Sequence, residues 1–152
     1  MFKVFARHPF SLIILCTGMA MGLVGIHSYL IFALWEAAGW PLSSTKFQLG
    51  LSIVSAGLIL GIIIISLTLI MLRSHRRSSE ESRKPVKLYS IVIIILSILA
   101  GIATIYYGVL SLQNILAFPE YAAYFVGRTV CLWAAGFALF LNILGCFHVY
   151  KF

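Results

Sequence analysis

The sequence predicts an all-α membrane protein: a four-transmembrane-helix bundle with short loops and both termini cytoplasmic. Three observations carry that reading. The 152 residues are 62% hydrophobic and only 10% charged, and the mean hydropathy of +1.06 is too high for a domain that shows water a polar face. Cutting the chain wherever charge, proline or polar clusters interrupt it leaves four apolar runs, at about 10–34, 47–72, 87–113 and 124–149. Nine of the eleven Lys and Arg residues then fall on one side of those runs.

Each run is long enough to cross a bilayer, because a helix rises about 1.5 Å per residue through a hydrocarbon core of about 30 Å. A β-barrel needs short alternating strands, and Gly61-Ile62-Ile63-Ile64-Ile65 does not alternate. The first run follows Lys3 and Arg7, as the apolar part of a signal peptide would, but it continues to Trp35 and is read as a retained helix. The second ends in the basic segment RSHRRSSEESRKPVK, residues 73–87, whose first fourteen residues, 73–86, read as a loop. The third and fourth complete a single domain over residues 1–152.

Basic residues are retained on the cytoplasmic side during insertion. Lys3, Arg7, Arg73, Arg76, Arg77, Arg83, Lys84, Lys87 and Lys151 share one side, leaving Lys46 and Arg128 for the other. That places both termini and the 73–87 segment in the cytoplasm. The outer turns, near 35–46 and 114–123, hold Trp40-Pro41 and Phe118-Pro119, with Trp35, Tyr121 and Tyr124 at the level of an interfacial aromatic belt. Such a protein belongs in the plasma membrane or an endomembrane.

The basic segment suits anionic lipid headgroups, at about 1 kcal/mol per nearby cation. Nucleic acid is not expected, since orientation accounts for the charge and no aromatics interleave for stacking on bases. Arg76-Arg77-Ser78-Ser79 also fits a basophilic kinase site at Ser79, where a phosphate would loosen the segment from the membrane.

Lipid supplies no hydrophobic drive between helices, so small residues at helical spacing mark close packing. Every run carries them: Gly18, Gly22 and Gly25; Gly50, Gly57 and Gly61; Ser97, Gly101, Thr104 and Gly108; Gly127, Cys131, Ala135, Ala138, Asn142 and Gly145. These stripes are read as joining the four helices to one another, with surface left over for another membrane protein. Intramembrane polar residues are the other functional signal, namely His27, Arg128 and Asn142. The expected arrangements are a neutral, hydrogen-bonded His27 and an Arg128 that snorkels outward or, preferentially, pairs with Glu36 or Glu120. The four histidines and three cysteines have no metal-ligand spacing, and phosphate loops, nucleophile elbows and paired carboxylates are missing, so no cofactor and no metal is expected.

In topology alone this outline is similar to MARVEL-type and other tetraspan proteins, without the large extracellular loop of tetraspanins and claudins. No motif accompanies the similarity, and no family is assigned on it. Two functions follow from the residues. The first is a non-catalytic accessory, assembly or scaffolding subunit of a larger membrane complex. The alternative is a membrane-embedded enzyme of lipid metabolism, or a proton or ion path, using His27, Arg128 and Asn142.

Overall fold

A computed structural model describes residues 8–76 and 80–151, with the side chains of 80–82 left undescribed. The candidate Ser79, together with Lys3, Arg7 and Arg77, lies outside the described residues. Four long helices follow one another: α1 (Pro9–Ala38), α2 (Thr45–Arg76), α3 (Glu80–Ala117) and α4 (Ala122–Lys151), the last preceded by a 3-10 turn, Pro119–Tyr121. Each of the four apolar stretches is long and apolar enough to cross a membrane, and together they form an all-α bundle.

Local chemistry explains where the helices stop. Pro9 opens α1, where a missing N–H costs nothing. Gly39 ends it at φ 64°, its N–H donating to the Glu36 carbonyl at 3.2 Å while the Trp40 N–H reaches the Trp35 carbonyl at 3.1 Å. Only glycine takes that left-handed angle without a Cβ penalty. Ser44 then caps α2, its Oγ accepting the Phe47 N–H at 3.3 Å. Between α3 and α4, Phe118 and Pro119 break the helix, and the Tyr121 N–H returns to the Phe118 carbonyl at 3.1 Å.

The segment expected as a loop at 73–86 is mostly helical. α2 runs on through Arg76 and α3 begins at Glu80, which leaves residues 77–79 between them. Apolar run lengths underestimate helices here because charged ends remain good helix formers. Arg73, His75 and Arg76 in the last turn of α2 also complement the negative end of its dipole.

α4 packs against α3 and α1, and α2 against α1 and α3, so the chain winds around the bundle in order. Glycines set three of these contacts. Along the α1–α2 seam, Ile31 faces Gly50, Val24 faces Gly57 and Met21 faces Gly61. Between α3 and α4, the Trp133 ring lies over Gly108 and the Phe140 ring over Gly101, while Gly136 abuts Thr104 and the Gly101 carbonyl. Gly127 and Gly145 of α4 receive Leu30 and Ile13 of α1. A large side chain on one helix enters the hollow of a glycine on the next, and dispersion contact substitutes for the missing hydrophobic drive.

The first stripe differs. Gly18, Gly22 and Gly25 are exposed, and nothing lies within 4 Å of a Cβ placed on any of them. α1 turns Cys16, Thr17, Ala20, Val24 and His27 inward instead. Spacing alone shows that three glycines share a face; it carries no information about which face the neighbouring helices occupy.

Candidate functional site

The three intramembrane polar residues do not form one constellation. Asn142 is fully buried and its Nδ2 donates to Thr17 Oγ1 at 3.0 Å and to Ser97 Oγ at 3.4 Å. One amide thereby ties α4 to both α1 and α3. Its Oδ1 has no partner among the described residues. Nearby hydroxyls do similar work between α3 and α4. Thr129 Oγ1 lies 3.1 Å from the Gly108 carbonyl, Ser111 Oγ donates to the Phe125 carbonyl at 3.2 Å, and Trp133 Nε1 donates to the Ile105 carbonyl at 3.3 Å. Thr17, Ser111, Thr129 and Trp133 were not singled out from sequence. Thr129 and Trp133 stand opposite Gly108, Thr17 opposite Asn142 and Ser111 opposite the Phe125 carbonyl, pairings that become visible only once the helices are paired.

His27 and Arg128 do come together, as lining of a cavity of about 370 Å³. All four helices contribute: His27 and Trp35 from α1, Lys46, Leu49, Gly50 and Ile53 from α2, Tyr107, Leu110, Ser111 and Asn114 from α3, and Phe125, Arg128 and Leu132 from α4. It lies at the end of the bundle where the α1–α2 and α3–α4 connections run. His27 is 4% exposed and its Nδ1 has no hydrogen-bond partner among the described residues. Arg128, half-buried, leaves its Nε equally without one. Its guanidinium carbon stands 5.8 Å from the centre of the Phe125 ring, within cation–π range.

The expected pairing of Arg128 with Glu36 or Glu120 is not formed: both carboxylates are exposed, and neither lines the cavity. The hydrogen bond expected on His27 is not made through Nδ1 among the described residues. Glu36 sits in the last turn of α1 and Glu120 in the 3-10 turn, both at the rim where water solvates a carboxylate at little cost. Arg128 stands about 9 Å further in, by helical rise from Ala122.

Aromatic residues close the end of the bundle. Trp40 is the hub, with ring centres 5.0 Å from Trp35, 5.1 Å from Phe118 and 5.8 Å from Tyr121, all near edge-to-face. Trp35 Nε1 donates to Ser44 Oγ at 3.2 Å, fixing the α1–α2 turn against the cluster. Four residues expected in a diffuse interfacial belt thus gather into one lid-like group over the cavity.

At the opposite end, Arg73, Arg76, Arg83, Lys84 and Lys87 are all exposed, and Lys87 Nζ stands 5.2 Å from the Tyr150 ring centre. Ser90 Oγ donates to Met71 Sδ at 3.4 Å, holding α2 and α3 together there.

Comparison with protein-family models, curated proteins and solved structures returns no match.

Proposed function

We propose that this multi-pass bundle is a non-catalytic subunit that docks onto another integral membrane protein through the outer face of α1. The observation that carries the reading is the Gly18–Gly22–Gly25 face. Its glycines are exposed with open space above them, while Leu15 and Tyr29, 56% and 71% exposed, flank the row on the same side. The result is a notch about 10 Å long, by helical rise, between two large side chains. Every glycine of α2, α3 and α4 receives a neighbour's side chain. A transmembrane helix of a partner fits the notch because close backbone approach is what small residues offer in lipid.

Orientation belongs to the same proposal: the basic end faces the cytoplasm, where its exposed cations meet anionic headgroups. The test is association of the full-length chain with membrane proteins isolated under native conditions. Gly18→Ile and Gly22→Ile keep the helix apolar, and the Cβ of each has nothing within 4 Å, so the bundle is expected to survive and the partner to be lost. Unchanged co-purification with both substitutions refutes the docking face.

A second reading is favoured by a different observation, the cavity holding His27 and Arg128. A small-molecule function would use those two without Asn142, whose amide is committed to Thr17 and Ser97.

A further inference from the structure

We infer that the cavity between His27 and Arg128 is a binding site for an anionic amphiphile, a carboxylate or phosphate headgroup carrying an apolar chain. The site is independent of the docking face on α1. Four features of the lining lead to that class. First, its charge has one sign: Arg128 and Lys46 contribute to the wall, and no Asp or Glu does. Second, the cations have company that is polar but neutral, with Ser111, Asn114 and Tyr107 on the α3 side. Third, two buried nitrogens, His27 Nδ1 and Arg128 Nε, have no hydrogen-bond partner among the described residues. His27 is more than nine-tenths buried. Fourth, the remaining wall is apolar, including Leu49, Ile53, Leu110, Leu132 and Phe125.

The energetics favour an oxyanion over other occupants. A guanidinium set inside an apolar bundle is costly unless a charge answers it, and no carboxylate of the described residues does. Its planar fork of N–H donors matches the paired oxygens of a carboxylate or phosphate, and such charge-assisted bonds are about twice as strong as neutral ones. A small hydrated ion would leave the apolar wall unused. A volume of about 370 Å³ holds roughly a dozen water-sized groups at about 30 Å³ each, enough for a headgroup and the start of a chain. The chain has a route out: Leu49 of α2 and Leu110 of α3, both in the wall, are 56% and 37% exposed. An apolar chain leaving past these two residues runs between α2 and α3, at the end away from their Met71–Ser90 contact.

The experiment uses the full chain in nanodiscs of neutral phosphatidylcholine, with radiolabelled palmitate as probe and methyl palmitate, lysophosphatidate and inorganic phosphate as competitors. Saturable palmitate binding is expected, displaced by unlabelled palmitate or lysophosphatidate and not by methyl palmitate. Arg128→Gln weakens it roughly tenfold to a hundredfold, the range for a hydrogen bond to a charged group. His27→Leu weakens it less, and Lys87→Gln at the far end leaves it unchanged. Displacement by methyl palmitate as effective as by palmitate overturns charge recognition in the wild-type chain, even if Arg128→Gln does not fold. Binding of equal strength in Arg128→Gln overturns the assignment to this cavity. Competition by inorganic phosphate as strong as by lysophosphatidate overturns the amphiphile, and absence of saturable palmitate binding overturns the site.

Discussion

Replacing Gly136 with Ala should destabilise the bundle, whereas the same change at Gly57 should not. A methyl at Gly136 would sit 2.7 Å from Thr104 Oγ1, 3.2 Å from the Gly101 carbonyl oxygen and 3.2 Å from Ile105 Cγ1. None of these yields cheaply. The carbonyl is backbone, and Thr104 is β-branched and already bonded to that same carbonyl at 2.9 Å. α3 and α4 must therefore separate, which costs about 1–3 kcal/mol by the scale of overpacked cores. At Gly57 the nearest atom, Val24 Cγ1, would be 3.7 Å away, an ordinary contact. Both variants gain the same helix propensity, up to about 1 kcal/mol, so the difference between them isolates the clash. The assay follows from the cysteines: Cys16, Cys131 and Cys146 are free and buried, so a thiol-reactive dye reports heat unfolding in detergent. Gly136→Ala should melt several degrees below Gly57→Ala. Equal melting temperatures would refute the close approach of α3 and α4.

Asn142→Leu should cost about 1 kcal/mol in the same dye assay, since interhelical hydrogen bonds in membranes average about 0.6 kcal/mol and two are lost; a stabilised variant would contradict the tie between α1, α3 and α4. Gly61→Ile should open the α1–α2 seam, because even a Cβ there would lie 2.5 Å from Met21, while Ile59→Leu, at a position 59% exposed, should melt like the wild type. Cysteines placed at the exposed positions Ser43 and Lys84 test orientation: an impermeant maleimide should label Ser43→Cys on intact cells and Lys84→Cys only after permeabilisation, and the reverse pattern would invert the topology.

The helices were legible because span length and charge bias are properties of one segment at a time. Their ends were not, since α2 runs on to Arg76 and α3 begins at Glu80, inside the charged 73–86 stretch where hydropathy no longer marks a helix. Pairing was partly legible: spacing gathers Gly50, Gly57 and Gly61 on one face, and the structure sets Ile31, Val24 and Met21 of α1 against it. The identical signal on α1 pointed to the wrong side of its helix, because which face meets a neighbour depends on all four helices at once. For the same reason His27 and Arg128, about a hundred residues apart in the chain, could be named singly but not placed in one cavity. Asn142 could not be separated from them. The carboxylates expected to answer Arg128 stand at the rim, where water solvates them better than a buried partner would.

If the chain docks as proposed, the outer face of α1 lies against another membrane protein. A photo-crosslinking residue at Leu15, beside the glycine notch, compared with one at Ile62 of α2, 57% exposed, tests it in the native membrane. A discrete cross-link from position 15 to a different membrane protein, abolished by Gly22→Ile, is expected, with only lipid adducts from position 62. Lipid adducts alone from both positions, or cross-links that survive Gly22→Ile, would contradict it.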